Sequence, residues 1–228
     1  MEKAIVLFSG GLDSTTCLQL AINRFGKENV IALTCFYGQR HDKEIKVSKI
    51  LVEHYGVKHI ELNLSKIFEG SDCSLLKSSN QDIPTGEYAS QIATTDKPIS
   101  TYVPFRNGLF LSAAASVALS NNARYIYYGI HQDDAAGNAY PDTSEIFNKS
   151  IADAIFEGSG RQVEIIAPFV HKKKADIVKE GIKLNVPYHL TWSCYKGGEK
   201  ACGKCGTCID RKKAFEANGI IDPIEYED

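Results

Sequence analysis

The chain has 228 residues, a formal net charge of −2, 43% hydrophobic residues and 24% charged ones. That balance describes a globular protein with ample length for a core, and the near-neutral charge weighs against a primary nucleic-acid binder. No long apolar segment marks a membrane span, and no charged leader or cleavage site precedes the first strand, so the expected address is the cytoplasm.

An apolar run, AIVLF at Ala4, predicts a first strand, and the residues after it predict a turn into a helix over 12–24. Further β-branched runs follow: NVIALTCF near 29, VKHIELNL near 57, RYIYYGI near 124 and VEIIAPF near 163. Between them lies helical periodicity over 41–55, 106–121, 143–157 and 172–185. The alternation predicts an α/β fold, a doubly wound and mainly parallel sheet with helices on both faces. Residues 70–100, rich in Ser, Asp, Thr, Gln and Pro, break the rhythm and read either as a lid over the site or as an idle surface loop. The acidic end DPIEYED is expected to fray.

The turn after the first strand carries chemistry. In FSGGLDSTTCL, residues 8–18, Gly10 and Gly11 let the backbone approach a ligand, and successive N–H groups backed by the helix dipole form an anion nest. No lysine follows the glycines, so this is not the G-x-x-x-x-G-K-[ST] loop, nor is it G-x-G-x-x-G. Amides and hydroxyls without the lysine suit a phosphate group that must leave: Ser9, Ser14 and Thr15 can hold oxygens, and Asp13 can hold Mg2+. A glycine turn with an ordinary Ser/Asp helix cap is the plain alternative.

Seven cysteines are present, and Cys194, Cys202, Cys205 and Cys208 form a C-x7-C-x2-C-x2-C array. Glycines after Cys202 and Cys205 allow tight turns, and four thiolates suit a closed, structural zinc site. An iron–sulfur cluster or a redox pair are the rival readings. Cys17 and Cys35 sit in apolar runs and read as core filler, and Cys73 also stands apart from the array.

S-G-G-x-D-S after a first strand resembles the signature of the PP-loop ATP pyrophosphatases, with their adenine nucleotide alpha hydrolase-like fold. The resemblance narrows on FSGGLDSTTCL (8–18), YGQRH (37–41), VPFRNGLFLSAAA (103–115), AYPD (139–142), KADIV (174–178) and TWSCY…ACGKCGTCIDR (191–211). Those stretches are similar to the QueC family of the queuosine-precursor pathway. The resemblance implies a carbon–nitrogen ligase that uses ATP with Mg2+ to convert 7-carboxy-7-deazaguanine and free ammonia to 7-cyano-7-deazaguanine through an adenylated acid and an amide. It also implies zinc at the four cysteines, one per chain, and a homodimer without membrane or direct nucleic-acid partners. Residues 1–185 would then be the PP-loop nucleotide-binding domain, and 186–228 a zinc-binding segment packed on it.

Carried over residue by residue, the nucleotide stretch is Phe8, Ser9, Gly10, Gly11, Leu12, Asp13, Ser14, Thr15, Thr16, Cys17 and Leu18. Asp13, Ser14, Lys174 and Arg106 are the candidate catalytic residues, although Lys174 also reads as one of three solvated lysines and Arg106 as part of a helix start. Gln39, Arg40, Asn107, His131, Asp134, Tyr140 and Asp142 are candidate substrate contacts; for Tyr140 and Asp142, stacking on the base and accepting its exocyclic N–H compete with a solvated loop. Phe105 and Ala139 stand where the family has glycine, Thr143 where it has cysteine, and two extra residues separate Asp134 from Tyr140. A tRNA thiolase or lysidine-type synthetase would share the loop but should carry a basic surface or added domain, and a non-enzymatic zinc module would leave the loop unexplained.

Overall fold

The computed structural model describes residues 2–92, 98–135 and 139–227. Five strands, β1 (Ala4–Leu7), β2 (Val30–Phe36), β3 (Lys58–Asn63), β4 (Tyr125–Tyr127) and β5 (Glu164–Ile166), form one parallel sheet in the order β3-β2-β1-β4-β5. The five apolar runs of the sequence are these strands. After β3 the chain returns to the other side of β1, which makes the space beyond the carboxyl ends of β1 and β4 the topological switch point, where such sheets bind ligands.

The helices are α1 (Leu12–Phe25), α2 (Lys43–Tyr55), α3 (Tyr88–Ile92), α4 (Arg106–Ser120), α5 (Gln132–Ala135), α6 (Glu145–Gly158), α7 (Lys174–Lys183) and α8 (Gly206–Glu216). Period-2 alternation splits β1 between two layers. Ala4 and Val6 pack with Leu18 of α1, Leu51 of α2, Ile177 of α7 and Phe215 of α8. Ile5 packs on the opposite face with Leu111 of α4 and Ile155 of α6. The sheet is therefore covered on both sides, as a parallel sheet must be. Cys194, Cys202, Cys205 and Cys208 belong to the same buried layer as Ala4, so residues on both sides of position 185 share one core.

Two regions differ from the sequence reading. The described part of 70–100 is docked: Leu75 and Leu76 pack with Tyr37, Phe68 and Val103, and Ser74 N donates to Ser100 O at 2.8 Å. Apolar residues spaced irregularly in a polar run gave no periodic signal, yet they bury together; residues 93–97 of that interval lie outside the described residues.

The acidic C-terminus is also docked. Arg211 of α8 is fully buried; its Nε and Nη2 donate to both oxygens of Asp222 at 2.8 and 3.0 Å, and its remaining N–H groups reach Thr191 Oγ1 and Tyr188 O at 2.7 and 3.1 Å. Tyr226 donates to the same carboxylate at 2.6 Å, and Ala201 bridges to Tyr226 in β fashion. A guanidinium with this many aligned acceptors tolerates burial, whereas removing its counter-ion strands it. Asp222→Ala is expected to lower stability by about 3–5 kcal/mol in urea unfolding, whereas an Arg211→Met, Asp222→Leu double substitution costs markedly less.

Candidate active site and cysteine cluster

The phosphate-type turn is built from close approach. Gly10 has φ +77°, and a Cβ there would lie 2.9 Å from both Ser48 N and Val47 Cγ1 of α2, so only glycine lets α2 press on the turn. Ser9 and Ser14 hydroxyls lie 3.2 Å apart, and Gly11 N donates to Ser9 Oγ at 3.3 Å. Ser14 Oγ is also 3.2 Å from Gly11 O, to which it donates. The first amides of α1 and these two hydroxyls thus converge at the end of β1, where the helix dipole adds positive potential.

The stretch 8–18 divides by role. Phe8, Ser9, Gly11, Asp13 and Ser14 line a cavity of about 240 Å³. Thr15 Oγ1 donates to Gly11 O at 2.7 Å, and Thr16 Oγ1 donates to Leu12 O at 2.9 Å while lying 2.8 Å from Tyr188 OH. Leu12, Cys17 and Leu18 are fully buried core residues, and Gly10 O accepts from Trp192 N at 3.0 Å.

A lysine reaches this turn from elsewhere. Lys174, the first residue of α7, is buried, unlike its exposed neighbours Lys172 and Lys173. Its Nζ lies 3.1 Å from Asp13 Oδ2 and donates to His131 Nε2 at 3.1 Å. Because an ammonium can only donate, His131 Nε2 accepts there. Asp134 Oδ2 is 3.3 Å from His131 Nε2, and Asp133 Oδ2 accepts from Lys174 N at 2.9 Å. Burial alone would raise the Asp13 pKa, but Lys174 and His131 outweigh it and hold the carboxyl below its ordinary value. Burial likewise pulls Lys174 down, and Asp13 with Asp134 and Asp210 outweighs it, so the ammonium is held charged. Asp13 Oδ1 is buried with no hydrogen-bond partner, a free acceptor on a residue that lines the cavity. Gly129, just after β4, permits this packing: a Cβ there would lie 3.0 Å from the Asp13 carbonyl carbon.

The other candidate residues separate into those on the cavity wall and those behind it. Arg106, Asn107, Gln39, Asp134 and Tyr140 line the cavity with Lys174. Arg106 stacks over the Tyr37 ring at 5.2 Å, and Gln39 Oε1 accepts from Tyr37 N at 3.0 Å. Tyr140 OH is 2.8 Å from Thr101 Oγ1 and 3.2 Å from Tyr195 OH. His131 is fully buried behind Lys174. Arg40 points away: its guanidinium donates to the carbonyls of Leu76, Ser79 and Gln81 and pins the docked loop. Asp142 is buried and accepts from Asn107 N at 2.8 Å, satisfying an orphan amide in the first turn of α4. Its carboxylate is outside the cavity lining.

Of the family departures, Phe105 takes φ +53° at the start of α4 and is about half exposed; its ring covers Gly108, where a Cβ would lie 2.4 Å from ring atoms. The bulky residue and the glycine three positions later are thus sterically matched. Thr143 Oγ1 donates to Tyr140 O at 2.7 Å, and Ala139 is buried beside Tyr140. Residues 136–138, within the interval expected to carry the extra residues, lie outside the described residues.

Sequence reasoning passed over Glu44. It sits in the first turn of α2, just past the carboxyl end of β2, the positional rule that flagged Gln39. Tyr37, Tyr88, Trp192 and Tyr195 also line the cavity without having been singled out.

The four Sγ atoms of Cys194, Cys202, Cys205 and Cys208 all lie within 4.8 Å of one another, and all four residues are buried. Cys194 Sγ accepts from Lys196 N at 3.4 Å and Cys202 N at 3.3 Å, and Cys202 Sγ accepts from Cys205 N at 3.4 Å. Hydrogen bonds from the Cys205 and Cys208 thiols, joined by these amides, pull the Cys194 thiol well below its ordinary value. Four mutually adjacent sulfurs with N–H support fit a closed zinc site of four thiolates.

Burial pushes the Glu44 carboxyl up to about 7 from 4.5, against the pull of Arg106. The folded protein therefore binds this proton more tightly than the unfolded chain, and the stability it contributes below pH 4.5 is lost as pH rises through about 7. Glu44→Gln is expected to match the parent Tm at about pH 4 and to exceed it at about pH 8, in paired thermal melts.

A family model described as Queuosine biosynthesis protein QueC matches residues 3–219. A 7-cyano-7-deazaguanine synthase from Psychromonas ingrahamii is 40% identical over 100% of this chain and 99% of its own length. Relatives of the same name from Pseudoalteromonas atlantica and Caldicellulosiruptor saccharolyticus are 41% identical (100% of each chain) and 43% identical (99% and 96%), respectively. Among the described residues no helix is long and apolar enough to cross a membrane. A lysine-free S-G-G-x-D-S turn at the switch point, a buried four-cysteine cluster and full-length similarity agree, and the chain belongs to the QueC family of queuosine biosynthesis proteins.

Proposed function

We propose that this chain performs the reaction for which its relatives are named, converting 7-carboxy-7-deazaguanine, ammonia and ATP to 7-cyano-7-deazaguanine. The observation that carries the reading is the cradle: two hydroxyls and the α1 amides at the end of β1, with cationic charge supplied from the side by Lys174. Such a cradle suits a pyrophosphate that departs better than a γ-phosphoryl group that is transferred.

A carboxylate is a poor electrophile because its oxide leaves badly. In the first round a carboxylate oxygen attacks the α-phosphorus of ATP, the α–β bridging bond breaks, and pyrophosphate departs. Ser9, Ser14 and the Gly11 amide hold its oxygens, and Lys174 balances its charge. Ammonia then attacks the acyl carbon, AMP leaves with the former carboxyl oxygen, and a proton is lost, giving the amide. Loss of water from an amide is difficult for the same reason. In the second round the amide oxygen attacks another ATP, pyrophosphate leaves, AMP carries that oxygen away, and the two N–H protons are lost to give the nitrile. Arg106 and Asn107, at the start of α4, hold the acyl end of the base.

Asp13, with Oδ1 free, is the residue that would hold Mg2+, which supplies charge neutralisation on the phosphate oxygens. One zinc per chain, held by the four cysteines, is structural because the cluster is closed and buried. Free ammonia, a homodimer and a cytoplasmic setting complete the proposal, supported by the family resemblance. A tRNA-modifying thiolase of the wider superfamily is less well supported, since a net charge of −2 offers no basic footprint.

Asp13→Asn is expected to reduce turnover by about 100-fold or more while the variant melts cooperatively, because the carboxylate serves charge and phosphate rather than packing. The nucleotide products of the parent should be AMP and pyrophosphate. The 7-amido base should give the nitrile with ATP and no ammonia. Finding ADP and phosphate as direct products, or an inert amide, contradicts the reading.

A further inference from the structure

The cavity wall carries three carboxylates, and two are already engaged. Asp13 is paired with Lys174 at 3.1 Å, and Asp134 is one of the charges that hold the Lys174 ammonium. Both belong to the phosphate end of the site. The third is Glu44, near Arg106 and the Tyr37 ring. Among the described residues nothing donates a hydrogen bond to it and no ion pair reaches it. Arg106 lines the same cavity and, among the described residues, also makes no ion pair, although the two charges feel each other. A half-buried carboxylate and a half-buried guanidinium that line one cavity without an ion pair between them leave an acceptor side and a donor side.

The base in the proposed reaction presents the matching edge. A guanine-type ring carries an N1–H beside a 2-amino N–H, two parallel donors, and next to them the O6 acceptor. A carboxylate accepts two parallel donors through its two oxygens, and a guanidinium donates to a carbonyl oxygen. Asp142, the carboxylate that sequence reasoning assigned to the exocyclic N–H groups, is occupied by Asn107 N at 2.8 Å. Tyr37 and Phe110, packed on each other with centroids 6.0 Å apart, give the same cavity an aromatic lining.

Resting on the reading of the substrate above, we infer that Glu44 is the residue that reads the base, accepting N1–H and the 2-amino N–H while Arg106 faces O6. A carboxylate oxygen left without its donor in the closed site costs more than the bond itself is worth, so this contact selects guanine-type bases over those lacking the amine.

The test is calorimetric binding to the full-length protein and to Glu44→Gln. The ligands are 7-carboxy-7-deazaguanine, its 2-desamino analogue, its xanthine counterpart with oxygen in place of the amine, and ATP. The parent should bind the guanine form about 10- to 100-fold more tightly than the 2-desamino form. The Gln variant should lose that preference and favour the xanthine counterpart, because a carboxamide accepts from N1–H and donates to O2. Its ATP affinity should stay within about threefold of the parent, since none of the cradle's hydrogen bonds uses Glu44. A variant that keeps the 2-amino preference, or loses all three bases alike, overturns the assignment of Glu44 while leaving the proposed reaction standing. A parent protein that binds none of the three bases overturns the proposed reaction, and the assignment with it.

Discussion

The contact between Lys174 Nζ and Asp13 Oδ2, 3.1 Å long and almost closed to solvent, is the interaction on which the site depends. It joins the first residue of α7 to the first turn of α1 across the carboxyl edge of the sheet. A lysine buried without a counter-charge would lose its proton, and an aspartate buried without a cation would gain one. Each keeps the other ionised, with His131 and Asp134 completing the network. The consequence is a phosphate cradle whose cation belongs to another element. The turn itself stays small enough for α2 to pack against Gly10, and in the proposed reaction the positive charge would flank the departing pyrophosphate instead of wrapping it.

The C-terminal segment braces that arrangement. Trp192 N holds Gly10 O at 3.0 Å, while Lys43 of α2 sits 3.7 Å above the Trp192 ring. Two residues later Cys194 enters the four-sulfur cluster, and Tyr195 then joins Tyr88 and Tyr140 on the cavity wall, 2.9 and 3.2 Å away through their hydroxyls. Arg211 and Asp222 lock the far end of the segment. A metal held at the cluster would therefore be mechanically continuous with the turn, since ordering Cys194 orders the residues on either side of it.

How much was legible in the chain follows from how local each signal is. Strand runs, crossover helices and the SGGLDS turn are readable because periodicity and backbone conformation are set within a few residues. The cysteine array is readable because spacing alone brings the sulfurs close. Lys174 read equally as a charge reaching the phosphates and as one of three solvated lysines, because the burial that distinguishes it from Lys172 and Lys173 is a property of the packed sheet. Asp142 and Arg40 read as ligand contacts because they are polar residues near the right edge, but the amide of Asn107 and the carbonyls of the docked loop, distant in sequence, engage them. The helix α8 was hidden inside the cysteine pattern, because GTCIDRKKAFE has almost no apolar periodicity of its own. Phe105 looked like an isolated departure until its ring was found over Gly108.

One cradle serving two activations has a chemical signature: both carboxyl oxygens must leave on AMP. The most direct measurement supplies 7-carboxy-7-deazaguanine labelled with oxygen-18 in its carboxylate, with ammonium and ATP, and follows the label by phosphorus NMR and mass spectrometry. The account predicts that each of the two AMP molecules formed per nitrile carries one labelled oxygen and that pyrophosphate carries none. Label appearing in water, phosphate or pyrophosphate, or only one labelled AMP per nitrile, would contradict it.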